Sequence, residues 1–144
     1  DWSSDVCSSD LYDEFGTRGH IDIVACFADE TTVLVHDQAN PEHPDHAVTA
    51  EVVSVLEQHP DLRIVRVPAP DVLRDEHGWV DYSYINHYLV NGGVILCSFD
   101  DPNDALARTI LERSYPERRV VQIDARALFE RGGGIHCITQ QQPE

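Results

Sequence analysis

Two stretches of this chain repeat the same order of apolar and polar positions. In the first, Ile21 to Ala28 is a largely apolar run that reads as a strand. Asp29-Glu30 turn the chain, and Thr31-Thr32 lead into Val33-Leu34-Val35 as the returning strand. A loop rich in Pro, Asn and His spans 37–45. From Asp45 to Gln58, Val48, Val52, Val55 and Leu56 recur at helical spacing, which predicts a helix with those four facing inward. Leu62 to Val67 closes the unit as a strand. The second unit predicts a strand from Tyr84 to Val90, a turn at Asn91-Gly92-Gly93, and a returning strand from Val94 to Phe99. Asn-Gly favours a tight hairpin because both residues tolerate positive φ. Asp101-Pro102 predicts a helix N-cap followed by Pro at the first helical position. That helix carries Leu106, Ile110 and Leu111 inward and ends near Ser114, and Arg119 to Ile123 is the closing strand. Val33-Leu34-Val35 corresponds to Val94-Ile95-Leu96, 61 residues further on. The pattern is α/β, a tandem strand–turn–strand–helix–strand repeat. Neither unit alone hides both faces of its strands, so the two must pack together, and the pair leaves apolar surface uncovered. Pro68 to Asp81 reads as a connector making a surface excursion.

Composition narrows the partners. The 144 residues suffice for one modest domain or part of a larger one, and 42% apolar content supports a core. Twenty-six acidic residues face ten basic ones, all Arg, for a net charge of −16. Such a field repels phosphate, which argues against nucleic acid and anionic membrane surfaces; a cationic small molecule is the electrostatic match. The charge also serves solubility. No stretch approaches the ~20 apolar residues that span a bilayer. No basic segment followed by an apolar one marks a leader. Cys7, Cys26, Cys97 and Cys137 lack paired spacing, which points to reduced thiols and a cytoplasmic setting. Asp1 to Leu11 reads as the translation of a common sequencing adaptor. Residues 1–11 are therefore set aside as non-native, and residues 12–144 are expected to be the C-terminal part of a longer single domain.

Chemistry concentrates at two places. Gly132-Gly133-Gly134 immediately precede Ile135-His136-Cys137. Glycine loses the most backbone freedom on folding, so a run of three marks close backbone approach or positive φ. Thr139 and Gln140 to Gln142 follow Cys137, with no second cysteine at zinc-type spacing, which suits a nucleophile on a tight loop. The alternative is a glycine loop entering an edge strand with an inert thiol. On such a strand His136 points away from Cys137 and is structural. Near the other end, His20 and Asp22 are two apart, so on a strand they share a face and suit an acid/base group beside a cation-binding one. Alternatively they only satisfy loop backbone. His36, His43 and His46 invite a metal check, since His43 and His46 bracket Pro44-Asp45 at chelating separation. No paired cysteine or His-Glu-x-x-His accompanies them, so they read as solvated loop histidines and no metal site is assigned. Cys26 reads as core.

Taken together, Thr17-Arg18-Gly19-His20-Ile21-Asp22 and His136-Cys137-Ile138-Thr139-Gln140-Gln141-Gln142-Pro143 resemble the agmatine deiminase family. That family belongs with bacterial-type peptidylarginine deiminases in the guanidine-modifying, pentein-fold group. Ser83-Tyr84-Ile85-Asn86 and Asp100-Asp101-Pro102-Asn103-Asp104 add to the likeness, which covers Tyr12 to Pro143. The resemblance implies a pentein-type α/β propeller, of which this chain holds roughly two of five strand–strand–helix–strand modules. It implies Cys137 as nucleophile, His20 as general acid/base and Asp22 as the carboxylate gripping the guanidinium, with Gly133, Gly134 and Asn86 at the substrate. No cofactor is expected. The implied substrate is agmatine, converted to N-carbamoylputrescine and ammonia in polyamine biosynthesis. Neither nucleic acid nor membrane is an expected partner, and a homo-oligomer is left open. Peptidylarginine is the alternative substrate, and a non-catalytic His-rich metal- or partner-binding domain is the alternative of another class. The family's second guanidinium-binding Asp and its substrate-tail contacts fall upstream of Tyr12, so the chain alone is expected to be inactive. Ile23, His87 and Cys97 depart from the family's usual Asn, Phe and Pro.

Overall fold

A computed structural model describes residues 20–142; residues 1–11 and the Thr17-Arg18-Gly19 segment lie outside them. The elements run α1 (Ile21–Val24), β1 (Ala25–Phe27), β2 (Thr32–Asp37), α2 (Asp45–Leu56), β3 (Arg63–Pro68), β4 (Tyr88–Val90), β5 (Gly93–Ser98), α3 (Asp104–Ser114), β6 (Arg119–Asp124) and α4 (Arg126–Phe129). They form two three-stranded sheets with one plan, β1-β2-β3 and β4-β5-β6. In each, the first pair is antiparallel and the second parallel. The 61-residue correspondence is visible in the ladders, because Thr32 opposite Arg63 is matched by Gly93 opposite Arg119. Parallel neighbours need a crossover, and α2 and α3 supply them.

The second hairpin turns on Asn91-Gly92, with Val90 already opposite Gly93 and Gly92 at φ +73°. Four expectations need correcting. First, Ile21 to Val24 is a helical turn and the strand starts only at Ala25. Ile23 and Val24 are both buried, and burying consecutive residues in this way suits a turn, not a half-exposed strand. Second, α2 buries Asp45, Thr49, Val52 and Val53, leaving Val55 45% exposed, so its inner face is rotated from the expected one. Third, α3 starts at Asp104, not after Asp101. The Asp104 carboxylate accepts the N–H groups of Phe99 (3.0 Å) and Asp101 (3.2 Å), tying the preceding loop to the helix start. Ala107 and Leu111 face inward there, while Leu106 is 51% exposed.

Fourth, β4 is limited to Tyr88–Val90, because 83–87 is an irregular buried segment held by tertiary bonds. Ser83 Oγ donates to the Ile23 carbonyl (2.7 Å), Tyr84 OH to Asp104 (2.8 Å) and Cys97 Sγ to the Asn86 carbonyl (2.9 Å). Buried polar groups demand such partners, and here they outweigh a longer ladder. One core runs through both units, from Val24, Leu34 and Val67 to Leu96, Leu111 and the ring cluster of Tyr82, Phe99 and Phe129. The 68–81 connector is anchored at its ends by buried Ala69 and Val80, with Arg74 stacked 3.8 Å from the Trp79 ring centre.

His36 and His43 are buried rather than solvated. His43 Nε2–H donates to the Val80 carbonyl (3.0 Å) and Nδ1 accepts the Asp45 N–H (3.2 Å), so both ring nitrogens serve the fold. His46 Nδ1 donates to the Gln38 carbonyl (2.7 Å). These bonds leave no basis for His43 as a metal ligand. As the repeat implies, apolar surface stays uncovered: Val121 and Ile123 project from one face of β6, 45% and 47% exposed. Among the described residues no helix is long and apolar enough to cross a membrane.

Candidate active site

Three separate segments meet at one carboxylate oxygen. The α1 turn presents Asp22, the irregular 83–87 segment presents Asn86, and the chain after the glycine run presents His136 and Cys137. Asp22 Oδ2 accepts from His136 Nδ1 at 2.7 Å, Asn86 Nδ2 at 3.0 Å and Cys137 Sγ at 3.2 Å. Asn86 Nδ2 also donates to Cys137 Sγ at 3.2 Å, and its Oδ1 accepts the His136 N–H at 2.9 Å. The other oxygen, Asp22 Oδ1, is buried and lacks a hydrogen-bond partner among the described residues. A carboxylate oxygen in that state is a poised acceptor, since burying it without a donor is unfavourable.

The glycines permit this convergence by close approach. A Cβ on Gly133 would lie 2.7 Å from Cys137 Sγ, and one on Gly134 would lie 2.7 Å from Phe129 Cε2 and closer still to Asn86 Oδ1. Gly132 has φ +91°. Beyond them the chain turns, with the Thr139 N–H bonded to the His136 carbonyl at 3.1 Å. His136 and Cys137 are therefore not on opposite faces of a strand, and His136 is part of the cluster. That correction has a local cause: the Thr139 hydroxyl also bonds the Ile135 (3.1 Å) and His136 (2.9 Å) carbonyls, closing the turn. A Thr so soon after the glycine run was the available sequence signal for a turn.

Of the residues singled out in the sequence, Asp22, Asn86, Gly133, Gly134 and Cys137 come together. His20 lies at the exposed start of α1, where its carbonyl accepts the Ile23 N–H (3.1 Å); its imidazole makes no hydrogen bond to a described residue. Burial pushes the Cys137 thiol up, and the adjacent Asp22 carboxylate adds to this, against the stabilising donation from Asn86. Cys137 is exposed, whereas burial raises Cys26 to about 11 and Cys97 to about 12, leaving both as inert thiols. His87 is pushed down to about 4 by burial; its Nδ1 donates to the Tyr84 carbonyl (3.1 Å) and its Nε2 accepts from Tyr115 OH (3.0 Å). Among the described residues no three His, Cys, Asp or Glu side chains gather as a metal site. A groove of about 580 Å³, lined by Asp37, Asn40, Glu42 and Asp71 among others, includes none of the Cys137 cluster.

A thiol, a carboxylate and an amide thus lie within 3.2 Å of one another, drawn from three separate segments of an α/β fold. The chain belongs to the Porphyromonas-type peptidyl-arginine deiminase family, whose sequence profile matches residues 7–143. It is 56% identical over 138 residues to a Streptomyces coelicolor protein provisionally named an agmatine deiminase, covering 92% of this chain and 41% of that one. It is 36% identical over 150 residues to the agmatine deiminase of Pseudomonas aeruginosa, covering 88% and 41%. Its fold superposes on the agmatine deiminase of Enterococcus faecalis with a TM-score of 0.79 at 25% identity, covering 89% and 41%. The chain thus spans about two fifths of the length of the relatives it matches.

Proposed function

We propose that this chain carries the nucleophile-bearing part of a hydrolytic guanidine deiminase, with agmatine as substrate. The observation that carries the reading is the meeting of Cys137 Sγ with the Asp22 carboxylate and the Asn86 amide on a glycine-cradled turn. A guanidinium carbon is a poor electrophile because its charge is delocalised over three nitrogens. Asp22, through Oδ1, accepts N–H bonds from the guanidinium and holds its plane against the sulfur. The substrate's own positive charge, placed between Asp22 and Sγ, counteracts the influences that keep the thiol protonated.

Cys137 Sγ then forms a bond to the guanidinium carbon, giving a tetrahedral adduct. One C–N bond breaks, and the departing nitrogen takes a proton and leaves as ammonia. The covalent thiouronium intermediate is attacked by water, which loses a proton; the C–S bond breaks and returns the thiolate. From agmatine and water the products are N-carbamoylputrescine and ammonia, a conversion that fits polyamine biosynthesis in the cytoplasm. His20 is assigned the proton transfers on the strength of the family pattern. On this reading residues 12–144 form the C-terminal part of one catalytic domain, a pentein-type propeller. The second guanidinium-binding carboxylate and the contacts to the substrate's tail come from preceding sequence, so the chain by itself is inactive.

The test is release of ammonia and ureido product from agmatine by the full-length protein. Cys137→Ser should lower turnover by about three orders of magnitude or more, as expected for a lost nucleophile. Turnover unchanged by Cys137→Ser would remove the mechanism. Turnover of peptidyl-arginine but not agmatine would keep the chemistry and reassign the substrate.

A further inference from the structure

We propose that His136 is a positioning residue that aims the Asp22 carboxylate at the substrate, an inference that rests on the deiminase reading. Its imidazole makes the shortest of the three bonds to Asp22 Oδ2, at 2.7 Å, and its own backbone is pinned by the His136 N–H bond to Asn86 Oδ1 at 2.9 Å. The three donors are not equivalent during a reaction at sulfur. Cys137 loses the proton it shares with Asp22 when it becomes the nucleophile. Asn86 Nδ2 divides its donation between Asp22 Oδ2 and Cys137 Sγ, so it turns toward sulfur as charge develops there. His136 is the one of the three with no hydrogen bond to sulfur.

With Oδ2 fixed, the planar carboxylate has its rotation fixed too, and Oδ1 is left buried and without a donor. That is the oxygen a guanidinium N–H would meet. His136 donates from Nδ1 whether the ring is neutral or protonated, so the anchor persists through proton transfers. It acts through Asp22 rather than on reacting atoms. A planar cation bound by one or two directed N–H bonds is sensitive to the angle of its carboxylate, so loss of the anchor should fall first on binding.

An asparagine at this position places an amide N–H near the site of Nδ1, whereas a glutamine places it near Nε2. In the full-length protein, His136→Gln is expected to raise KM for agmatine about tenfold with kcat within about threefold, and His136→Asn to restore KM to within about threefold. A second readout needs no turnover: the ratio of Cys137 inactivation rates by cationic chloroacetamidine and by neutral iodoacetamide. That ratio should fall about tenfold in His136→Gln and recover in His136→Asn, since the neutral reagent does not use the carboxylate. If His136→Gln does not fold, His136→Ala supplies the same comparison against His136→Asn. Equal KM and equal ratios in wild type and His136→Gln, or equal impairment of the Asn and Gln variants, would overturn the proposal. A wild type that favours chloroacetamidine but turns over no guanidine would instead overturn the deiminase reading and leave the His136–Asp22 pairing supported.

Discussion

Gly134 separates the site's two requirements, room and bonding, at a single atom. Its missing Cβ is what lets Asn86 Oδ1 and Phe129 occupy the space beside the backbone, so Gly134→Ala must displace one or both. Overpacking at a fixed backbone typically costs about 1–3 kcal/mol. Gly134→Ala should lower the urea midpoint of the full-length protein correspondingly and loosen Asn86 from His136 and Cys137; an unchanged midpoint with unchanged activity would show that the loop relaxes freely. At this scale the sequence was informative where a residue type has few uses. Three successive glycines beside a cysteine pointed to close approach, and Gly133 and Gly134 make it. Strand alternation beyond the glycines points His136 away from Cys137, whereas hydroxyl-to-carbonyl bonds from Thr139 close a turn there. Two-residue spacing pairs His20 and Asp22 on a strand face that the α1 turn replaces, yet Asp22 still reaches the cluster.

Elements are joined across the two units by a buried polar seam. His87, between Tyr84 and β4, accepts from Tyr115 at the end of α3 and lies 3.9 Å from Cys26 Sγ of β1. Burial holds His87, and likewise His36, neutral with a pKa of about 4 in the folded protein, against about 6.5 when unfolded. The folded pKa is depressed, so the unfolded state binds more protons as pH falls. The stability associated with these groups is complete above about pH 6.5 and is lost on descending toward pH 4. The denaturation midpoint of the full-length protein should therefore fall across that window, and His87→Phe should flatten the slope. An equally steep fall in His87→Phe would assign the acid sensitivity elsewhere. Helix and strand order was legible because apolar periods of the two kinds alternate cleanly. Helix faces are less so: Val55 and Leu106 look inward by spacing but are solvent-facing, while Thr49 and Ala107 are buried, because spacing alone does not fix which side of a helix meets the sheet. Residues 84–87 look like the start of a strand by sequence because the tertiary hydrogen bonds that hold them irregular have no local signature.

For the whole molecule, the repeat predicts where surface is unfinished. The opposing ladders make Val65 and Val67 the counterparts of Val121 and Ile123. Val67 is buried where α3 packs against β3, whereas Val121 and Ile123 have no such cover among the described residues. If a further unit covers β6 as α3 covers β3, Ile123→Asp in the full-length protein should cost about 2 kcal/mol or more by burying an unpaired charge. A change within about 0.5 kcal/mol would show that the face is open to solvent.

The bond from Asp22 to Cys137 closes a span of 115 residues, which has a consequence for when the site comes into being. Contacts this distant in sequence are paid in loop-closure entropy before they return anything, so docking of the Cys137 turn depends on both units being formed first. Until then Cys137 is an ordinary flexible thiol, without the burial and neighbouring carboxylate that suppress its ionisation in the folded chain. The order of assembly thus makes the incompletely folded chain the form whose Cys137 ionises more readily and reacts faster with neutral thiol reagents and oxidants, and the rate at which that reactivity falls during refolding is a clock for completion of the site.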